Sequence, residues 1–366
     1  MSSVGLVLVV WSIGIAACRE EITMPVRKRL GYWLSERKAK KLSLSDVVEE
    51  LEAKNIEAVK VDLTKPLREQ GPFHAILHKL TDLIAQADLG NKEALVLIKN
   101  LETYSLENPD VIVIDPIDCL RTVIDRFKTY TTIHELVSDD ETFVPPFVTL
   151  KCNNLSENVE LFRESKVTFP CVSKPIVAHG SSSAHEMTLV FNEKGLSECA
   201  FPCVVQSFVN HNAVLYKLFA LGDTFAVVER PSIKNLIASE DMKPIHFHSD
   251  DVSKPSSCSQ LTFQENREVL SGNRIPCQNS LTRIVREIHK ALGLGLFGVD
   301  VVVDSSSGRL AIIDVNSFPG YDGIENFPGK LAAFVRSELD ELDKEITFNI
   351  AKDSASVKAD LISSRS

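Results

Sequence analysis

The chain has 366 residues, of which 44% are hydrophobic and 25% charged, and its formal net charge is −10. This length allows about two or three domains with sizeable cores, and the composition excludes a chain that is disordered throughout. The acidic balance excludes a general nucleic-acid binder, which needs a basic surface, although a local basic cluster can still bind a small polyanion.

The cysteines give no sign of a disulfide framework. There are eight of them, and no pair has the CxxC spacing of a metal or redox site. Several, such as Cys171 and Cys203, stand within apolar runs, where cysteine behaves as a small hydrophobic residue. The pattern predicts buried free thiols in a reducing compartment rather than disulfides or a zinc site.

The first 27 residues do not fit the pattern that follows. Residues 4–18 are almost purely apolar, with the length of a signal-peptide core, but no Lys or Arg precedes them. Met24 and the basic run after it would make a natural start for a cytoplasmic protein. We therefore expect a cytoplasmic protein without stable membrane insertion, in which 1–27 is dispensable. A signal peptide or anchor at 4–18 is the alternative.

A first domain is predicted over 28–135. Strand patterns occupy 30–34, 58–63, 75–79 and 111–114, and helix patterns occupy 43–54, 91–104 and 117–130. Ser43 and Asp46 fit a capping box at the start of the first of these helices. Alternation of strands and helices is typical of an α/β domain with a parallel sheet.

Short strands dominate after about residue 145. They are predicted at 171–174, 187–191, 203–208, 215–221 and 224–230. A serine-rich stretch over 249–280 predicts a long loop that is mobile or functional. A helix at 281–292, strands at 296–303 and 310–315, and a helix from about Gly329 follow. We divide this part into a central domain over 136–230, a C-terminal domain over 231–346 and a disordered tail over 347–366.

Two apolar strands joined by five turn-type residues predict a β-hairpin near residue 305. A register that pairs Val302 with Ile312 places Asp300 opposite Asp314, and Asn316 then lies on the same face. Facing carboxylates repel unless a cation lies between them. Oxygen donors of this kind suit Mg²⁺ held jointly with nucleotide phosphates. The alternative is a shifted register with one Asp facing solvent.

A small-residue loop follows the predicted strand that ends at Lys174, and it contains His179 and His185. Small residues let backbone N–H groups approach phosphate oxygens, and the lysine adds a charge, although an ordinary surface hairpin looks similar. A cationic run at 37–41 follows the first strand, where ligands bind in α/β sheets, unless it is only a solvated face. Further cations in or after the central strands are Lys217, Arg230 and Lys234.

Together these segments resemble the inositol 1,3,4-trisphosphate 5/6-kinases, also called inositol-tetrakisphosphate 1-kinases, which have the ATP-grasp fold. The resemblance runs from about residue 28 to about residue 334. Its motifs are 31–36 (GYWLSE) followed by Lys38, 78–82 (HKLTD), 177–180 (VAHG), 204–209 (VVQSFV), 211–217 (HNAVLYK), 230–232 (RPS) and 316–321 (NSFPGY).

The resemblance implies a role for each matching position. The ATP-binding residues would be Arg126 and Lys174 at the phosphates, Gln206, Ser207, Phe208 and Val209 at the adenine hinge, and Ser232, Ser249 and Ser253. The magnesium ligands would be Asp300, Asp314 and Asn316. The residues near the inositol polyphosphate would be Lys38, His179, His185, Lys217, Asn316 and Gly320. The catalytic residues would be Asp300, Asp314, Asn316 and Lys217.

The resemblance also implies the fold and the reaction. The fold would be α/β, with a parallel N-terminal domain followed by central and C-terminal α+β ATP-grasp domains. The protein would be a monomeric, Mg²⁺-dependent kinase that transfers the γ-phosphoryl of ATP to a hydroxyl of an inositol polyphosphate. Positioning and charge neutralisation would supply most of the catalysis. Asp300 or a ring phosphate of the substrate could accept the hydroxyl proton.

Two other functions stay open at this point. An ATP-grasp carboxylate–amine ligase would share the metal hairpin, but the cationic cluster around Lys38 favours a polyphosphate acceptor. A nucleotide-binding module without turnover would not need the intact set of Asp300, Asp314 and Asn316.

Overall fold

A computed structural model of the chain describes residues 27–254, 257, 259–262 and 276–363. The apolar segment predicted at 4–18 lies outside these residues, and so does much of the loop predicted over 249–280. The described strands form three sheets, one of four strands and two of five.

The N-terminal sheet is parallel throughout, as predicted. Its strands are β1 (Lys28–Trp33), β2 (Ile56–Lys60), β3 (Ala75–His78) and β4 (Ile112–Ile114). They lie in the order β2-β1-β3-β4. The helices that accompany it are α1 (Glu36–Lys41), α2 (Leu44–Glu52), α3 (Thr81–Asp88), α4 (Lys92–Glu107), α5 (Ile117–Ile124) and α6 (Arg126–Val137), with a 3-10 helix at Leu67–Glu69.

Three local features of this part differ from the prediction. The cationic run is helical (α1), because the Ser35 hydroxyl caps it by accepting from the backbone N–H of Lys38 at 3.2 Å. The capping box at Ser43 is wrong: Ser43 has φ +51° and makes no side-chain cap bond. The helix predicted over 117–130 breaks at Asp125, whose extended backbone and side chain cap a new helix, α6.

The other two sheets are built from ten strands. These are β5 (Thr142–Phe143), β6 (Phe147–Leu150), β7 (Cys171–Pro175), β8 (Glu186–Val190), β9 (Cys203–Ser207), β10 (Val214–Leu221), β11 (Thr224–Pro231), β12 (Ile245–His248), β13 (Leu296–Val303) and β14 (Leu310–Ser317). The helices are α7 (Leu155–Glu164), α8 (Asp250–Ser253), α9 (Gln278–Leu292) and α10 (Phe327–Ser363), with 3-10 helices at Ser182–His185 and Glu193–Glu198.

The sheets do not follow the predicted division between residues 230 and 231. The central sheet has the order β12-β8-β7-β9-β6, and the C-terminal sheet has the order β11-β10-β13-β14-β5. Strands β10 and β11 therefore join the C-terminal hairpin, whereas β12 returns to the central sheet. The chain passes between the two sheets several times because strands distant in sequence pair with each other, and periodicity along the chain carries no information on such pairing.

Both faces of the N-terminal sheet are buried. On one face Leu30 packs in a cluster with Leu339 of α10. On the other face Ile76 packs in a cluster with Ile84 and Ile98. Burial of each such side chain stabilises the fold by about 1.5–3 kcal/mol. Two-sided burial is typical of parallel strands and explains why the four residues of β3 are all buried.

The last helix is longer than the sequence predicted. A disordered tail was expected over 347–366, but α10 continues through Ser363. No Gly or Pro follows Gly329 in the chain, so no residue there favours an end to the helix. The structure thus describes a helix over 347–363, where the sequence analysis expected disorder.

The prediction of buried thiols is correct for only half of the described cysteines, since Cys152 and Cys277 are exposed and Cys119 is half-buried. Six of them are free, with Cys171, Cys199 and Cys203 buried in the central domain. Cys18 and Cys258 lie outside the described residues. Within the part of the chain that the structure describes, no helix has the length and apolar character needed to cross a membrane.

Candidate active site

A cavity of about 390 Å³ lies where the three sheets meet. Its walls come from the central and C-terminal sheets and from the N-terminal residues Lys41 and Lys79. The predicted site residues that line it are Arg126, Lys174, His179, His185, Gln206, Ser207, Phe208, Val209, Lys217, Ser232, Ser249, Ser253, Asp300, Asp314, Asn316 and Gly320. Lys38 is the predicted site residue that does not line it.

The hairpin of β13 and β14 brings the acidic residues together. Asp300 pairs directly with Asp314, as predicted, and Gly298 pairs with Asn316. The predicted pairing of Val302 with Ile312 is wrong, because Ile312 pairs with Val301. From the turn to Val301 the register differs by one position from the predicted one. A β-bulge between Asp300 and Val301 then adds one residue to β14 and restores the predicted register, so the two carboxylates still face each other.

Asp300 lies in an environment that disfavours its charged form. Burial raises the pKa of its carboxyl, and the neighbouring Asp314 raises it further, while Lys217 acts in the opposite direction. Oδ1 of Asp300 lies 3.2 Å from Nζ of Lys217 but accepts no hydrogen bond of good geometry. A buried carboxylate oxygen without a hydrogen-bond partner, facing a second carboxylate, fits a site for a divalent cation.

The remaining donors of such a site are also oxygen atoms. Asn316 follows Asp314 on the same face of β14. Among the described residues no three His, Cys, Asp or Glu side chains cluster as a metal site, and a cation bound here would find two carboxylates and one amide oxygen. A set of this size suits Mg²⁺, which usually keeps waters and substrate phosphates as further ligands.

Lys174 is a buried cation beside this pair. Its Nζ donates to the Tyr130 hydroxyl at 2.9 Å, to Oε1 of Gln206 at 2.9 Å and to the Ile313 carbonyl at 2.8 Å. Burial lowers the pKa of Lys174 to about 8, against the opposing effect of Asp314. Lys174 is therefore mostly charged at neutral pH and held in one place, as a phosphate-binding lysine must be.

The break between α5 and α6 aims Arg126 at the cavity. Arg126 begins α6, and its guanidinium donates to the Pro175 carbonyl at 2.6 Å and to the Ala184 carbonyl at 3.2 Å. These two carbonyls stand at opposite ends of the loop between β7 and β8. Nε of Arg126 is buried and has no hydrogen-bond partner. Arg126 therefore links α6 to both ends of the candidate phosphate loop.

The segment predicted as the adenine hinge is rigidly held. The backbone N–H of Phe208 donates to the Pro170 carbonyl at 2.9 Å. His211, which the sequence analysis gave no role, bridges the hinge to Ser232: its Nδ1 lies 2.6 Å from the Val209 carbonyl and its Nε2 lies 2.7 Å from the Ser232 hydroxyl. Burial lowers the pKa of His211 to about 4, so the ring is neutral. Nδ1 must then donate and Nε2 accept.

The opposite end of the cavity is basic. Lys79 donates from Nζ to the Ser317 carbonyl at 2.7 Å, and Lys41 forms an ion pair with Asp322 at 2.8 Å. Nζ of Lys38 instead donates to the carbonyls of Phe318 and Pro319 at 2.7 and 2.6 Å, beside the cavity wall. Burial lowers the pKa of Lys38 to about 6, and Lys79 and Lys41 contribute to the shift.

Several lining residues were not predicted as site residues. The charged or histidine side chains among them are Lys41, Lys79, His211, Arg230, Asp250, Lys254 and Asp322. Lys79 could have been predicted, since a cation directly after a parallel strand stands at the edge of the sheet where ligands bind. Lys41 lies in the cationic run and His211 in one of the family motifs, but neither was assigned to the site individually.

Comparisons with known proteins identify the family of this chain. Residues 136–337 match the ATP-grasp domain of inositol 1,3,4-trisphosphate 5/6-kinase, and residues 29–120 match the pre-ATP-grasp domain of the same family. Inositol-tetrakisphosphate 1-kinase from Danio rerio is 42% identical over 316 residues, which cover 85% of this chain and 79% of the relative. The protein of that name from Xenopus laevis is 39% identical, with 87% and 80% covered.

Solved structures support the fold alone. A D-cycloserine synthetase superposes with a TM-score of 0.55 at 13% identity, covering 85% of this chain and 99% of the other. An ATP-grasp ligase bound to a minimal precursor superposes with a TM-score of 0.52 at 13% identity, covering 85% and 99%. The predicted fold and family are confirmed: the chain belongs to the inositol 1,3,4-trisphosphate 5/6-kinase family, whose members are ATP-grasp inositol polyphosphate kinases.

Proposed function

We propose that this cavity transfers the γ-phosphoryl of ATP to a ring hydroxyl of an inositol polyphosphate, with Mg²⁺ held by Asp300, Asp314 and Asn316. The observation that carries the proposal is the composition of a single cavity. It combines a facing carboxylate pair, a buried lysine (Lys174) and a separate basic end. A kinase for a polyanionic acceptor needs these three features together.

In this reaction ATP and the acceptor occupy opposite ends of the cavity. The oxygen of the ring hydroxyl bonds to the γ-phosphorus, and the bond from that phosphorus to the β–γ bridging oxygen breaks to release ADP. The hydroxyl proton passes to Asp300 or to a ring phosphate of the acceptor. When bound, Mg²⁺ supplies positive charge that offsets the charge of the phosphates. Lys174 and Arg126 hold the phosphates of ATP, and the hinge and Ser232 hold the nucleoside.

The basic end would hold the acceptor. Lys217 lines the cavity on β10 next to Asp300 of β13, with its Nζ 3.2 Å from Oδ1 of Asp300. His179 and His185 lie on the loop between β7 and β8. Burial lowers the pKa of both rings below the usual value, so they are neutral near pH 7 in the free protein. Lys41, from the cationic run at 37–41, and Lys79 would add further positive charge.

Two observations weigh against the other candidate functions. A carboxylate–amine ligase has no need of a basic end, where Lys41, Lys79 and Lys217 face the cavity. A module without turnover has no need of Asp300 and Asp314 in direct opposition, since this arrangement costs stability when no cation is present.

The test is an ATP-turnover assay with a mixture of inositol phosphates and Mg²⁺, in which NMR assigns the position of the new phosphate. We expect ADP to form only when an inositol phosphate is present, with one new phosphate ester per ADP. Formation of ADP that depends instead on a carboxylate together with an amine would favour the ligase. Binding of ATP without any ADP formation would favour the module.

A further inference from the structure

The motif at residues 78–82 (HKLTD) has no role in the proposed function beyond Lys79. Its last residue, Asp82, lies in the first turn of α3. Oδ1 of Asp82 accepts a hydrogen bond from the backbone N–H of Gly180 at 3.1 Å. Gly180 belongs to the loop between β7 and β8 that carries His179 and His185, so a residue of the N-terminal domain contacts a loop of the central domain.

The loop also packs closely on α3. Gly180 has φ +90°, and a Cβ atom placed there would lie 2.9 Å from Cβ of Ala85 and 3.5 Å from the Asp82 carbonyl oxygen. Only glycine fits such a conformation at this distance. Nδ1 of the neighbouring His179 lies 4.0 Å from Oδ1 of Asp82. The tip of the loop is therefore seated on the first two turns of α3, with the Asp82 carboxylate at the contact.

The base of the loop is held by other groups. The backbone N–H of Ala178 donates to the Ile124 carbonyl at 2.8 Å, and Asp125 forms a β-bridge with Val177. Arg126 donates to carbonyls near both ends of the loop. The tip, in contrast, consists of small residues that have little intrinsic order. His185, at the far end of the loop, is held by Ser249, whose backbone N–H donates to the His185 carbonyl at 2.9 Å. The contact with Asp82 acts on the tip between these two held ends, at Gly180.

We propose that Asp82 is a positioning residue that orders the tip of this loop, so that His179 and His185 are in place to contact the inositol phosphate. This inference rests on the proposed function for the identity of the ligand. A loop that is only partly in its binding-competent arrangement weakens the apparent affinity by that fraction. Asp82 would therefore affect the inositol phosphate more than ATP, whose phosphates are held by Lys174 and Arg126.

Three variants test the proposal: Asp82→Ala, Asp82→Asn and the control Asp88→Ala. Asp88 ends the same helix and pairs with Arg121 at 3.3 Å, outside the cavity. In Asp82→Ala we expect the KM for the inositol phosphate to rise about 2- to 10-fold, as for the loss of one hydrogen bond at an exposed position. The KM for ATP and the melting temperature should stay close to those of the parent. Asp82→Asn should restore most of the affinity, because its amide oxygen can still accept from Gly180.

Hydrogen–deuterium exchange of peptides that span 176–186 gives a second measurement, made without ligand. Exchange at the loop should be faster in Asp82→Ala than in the parent and in Asp88→Ala. Equal exchange in all of them, or equal KM increases in Asp82→Ala and Asp88→Ala, would overturn the proposal. So would a loss of affinity in Asp82→Asn as large as in Asp82→Ala. If the parent turns over no inositol phosphate, the proposed function fails, and the exchange comparison still decides whether Asp82 orders the loop.

Discussion

Replacement of Asp314 by Asn separates a metal site from a structural carboxylate pair. The substitution removes one negative charge and keeps the shape of the side chain. Asp300 and Asp314 face each other across the hairpin. Two carboxylates about 5 Å apart repel by about 3 kcal/mol at an effective dielectric constant of about 20. Lys217 offsets part of this, so we expect Asp314→Asn to stabilise the metal-free protein by about 1–2 kcal/mol.

The sign of this change follows from the titration of Asp300. Its pKa is raised in the folded protein, so its ionisation destabilises the fold at every pH above the ordinary carboxyl pKa. Loss of the charge at position 314 lowers that cost. The effect on activity should be opposite: turnover should fall by about 100-fold or more, which corresponds to about 3 kcal/mol of lost transition-state stabilisation.

The measurements are urea unfolding with and without Mg²⁺ and a non-hydrolysable ATP analogue, together with turnover. Each tenfold loss of nucleotide affinity should remove about 1.4 kcal/mol of the stabilisation by ligand. Asp304→Asn is the matched control, because Asp304 lies at the end of the same hairpin and outside the cavity lining. Turnover that survives in a destabilised Asp314→Asn protein would refute the metal assignment.

Three more predictions concern single charged residues. Lys217→Ala should raise the KM for the inositol phosphate about 10- to 100-fold and leave that for ATP nearly unchanged. In the protein without ligand the pKa of Lys38 is about 6, so Lys38 is mostly neutral at pH 7.5 and takes up a proton when it binds a phosphate. Lys38→Met should therefore reduce, by up to about one, the number of protons taken up on inositol phosphate binding at this pH. In Asp115→Asn, stability relative to the parent should increase between about pH 4 and 7, because burial raises the pKa of Asp115 to about 7.

Each of these three predictions can be tested by one measurement, and one result of that measurement would contradict it. Steady-state kinetics with both substrates test Lys217, and equal changes in the two KM values would contradict its assignment to the acceptor. Calorimetry in two buffers of different ionisation enthalpy tests Lys38, and equal proton uptake in parent and variant would contradict a neutral lysine. Urea unfolding at pH 5 and 8 tests Asp115. Its shift of about three pKa units corresponds to at most about 4 kcal/mol, and a difference independent of pH would contradict the raised pKa.

The sequence predicted much of the site because its chemistry is local. Asp300, Asp314 and Asn316 lie within one hairpin, and Lys174 ends a strand that leads into a small-residue loop. Alternation along the two strands of the hairpin is enough to place Asp300, Asp314 and Asn316 on one face of the sheet. The assignment of Lys38 had no such support from geometry. Its amine turns to the carbonyls of Phe318 and Pro319, a contact between segments about 280 positions apart that no local pattern predicts.

The contacts of the loop between β7 and β8 could not be predicted either, because they also join segments far apart in sequence. The sequence marked Gly180 and the histidines beside it as a candidate phosphate loop, on the basis of small residues alone. The partner that seats the loop, Asp82, lies 98 positions earlier and in another domain. Its role depends on a distance between two domains, which only the folded chain provides. The division of the strands between the central and C-terminal sheets escaped prediction for the same reason.

The β-bulge in β14 links the two halves of the catalytic geometry. The extra residue in that strand is Ile313, which has no partner on β13. Its carbonyl accepts hydrogen bonds from Nζ of Lys174 at 2.8 Å and from the Tyr130 hydroxyl at 3.0 Å. Ile313 has no ladder partner on β13, and β14 pairs with β5 only at Leu310 and Ala311, so this carbonyl is available to donors outside the sheet. The bulged strand thus places Asp314 opposite Asp300 and also offers the carbonyl that holds Lys174 beside them, so the proposed metal ligands and the proposed phosphate-binding lysine are connected through the backbone of a single strand.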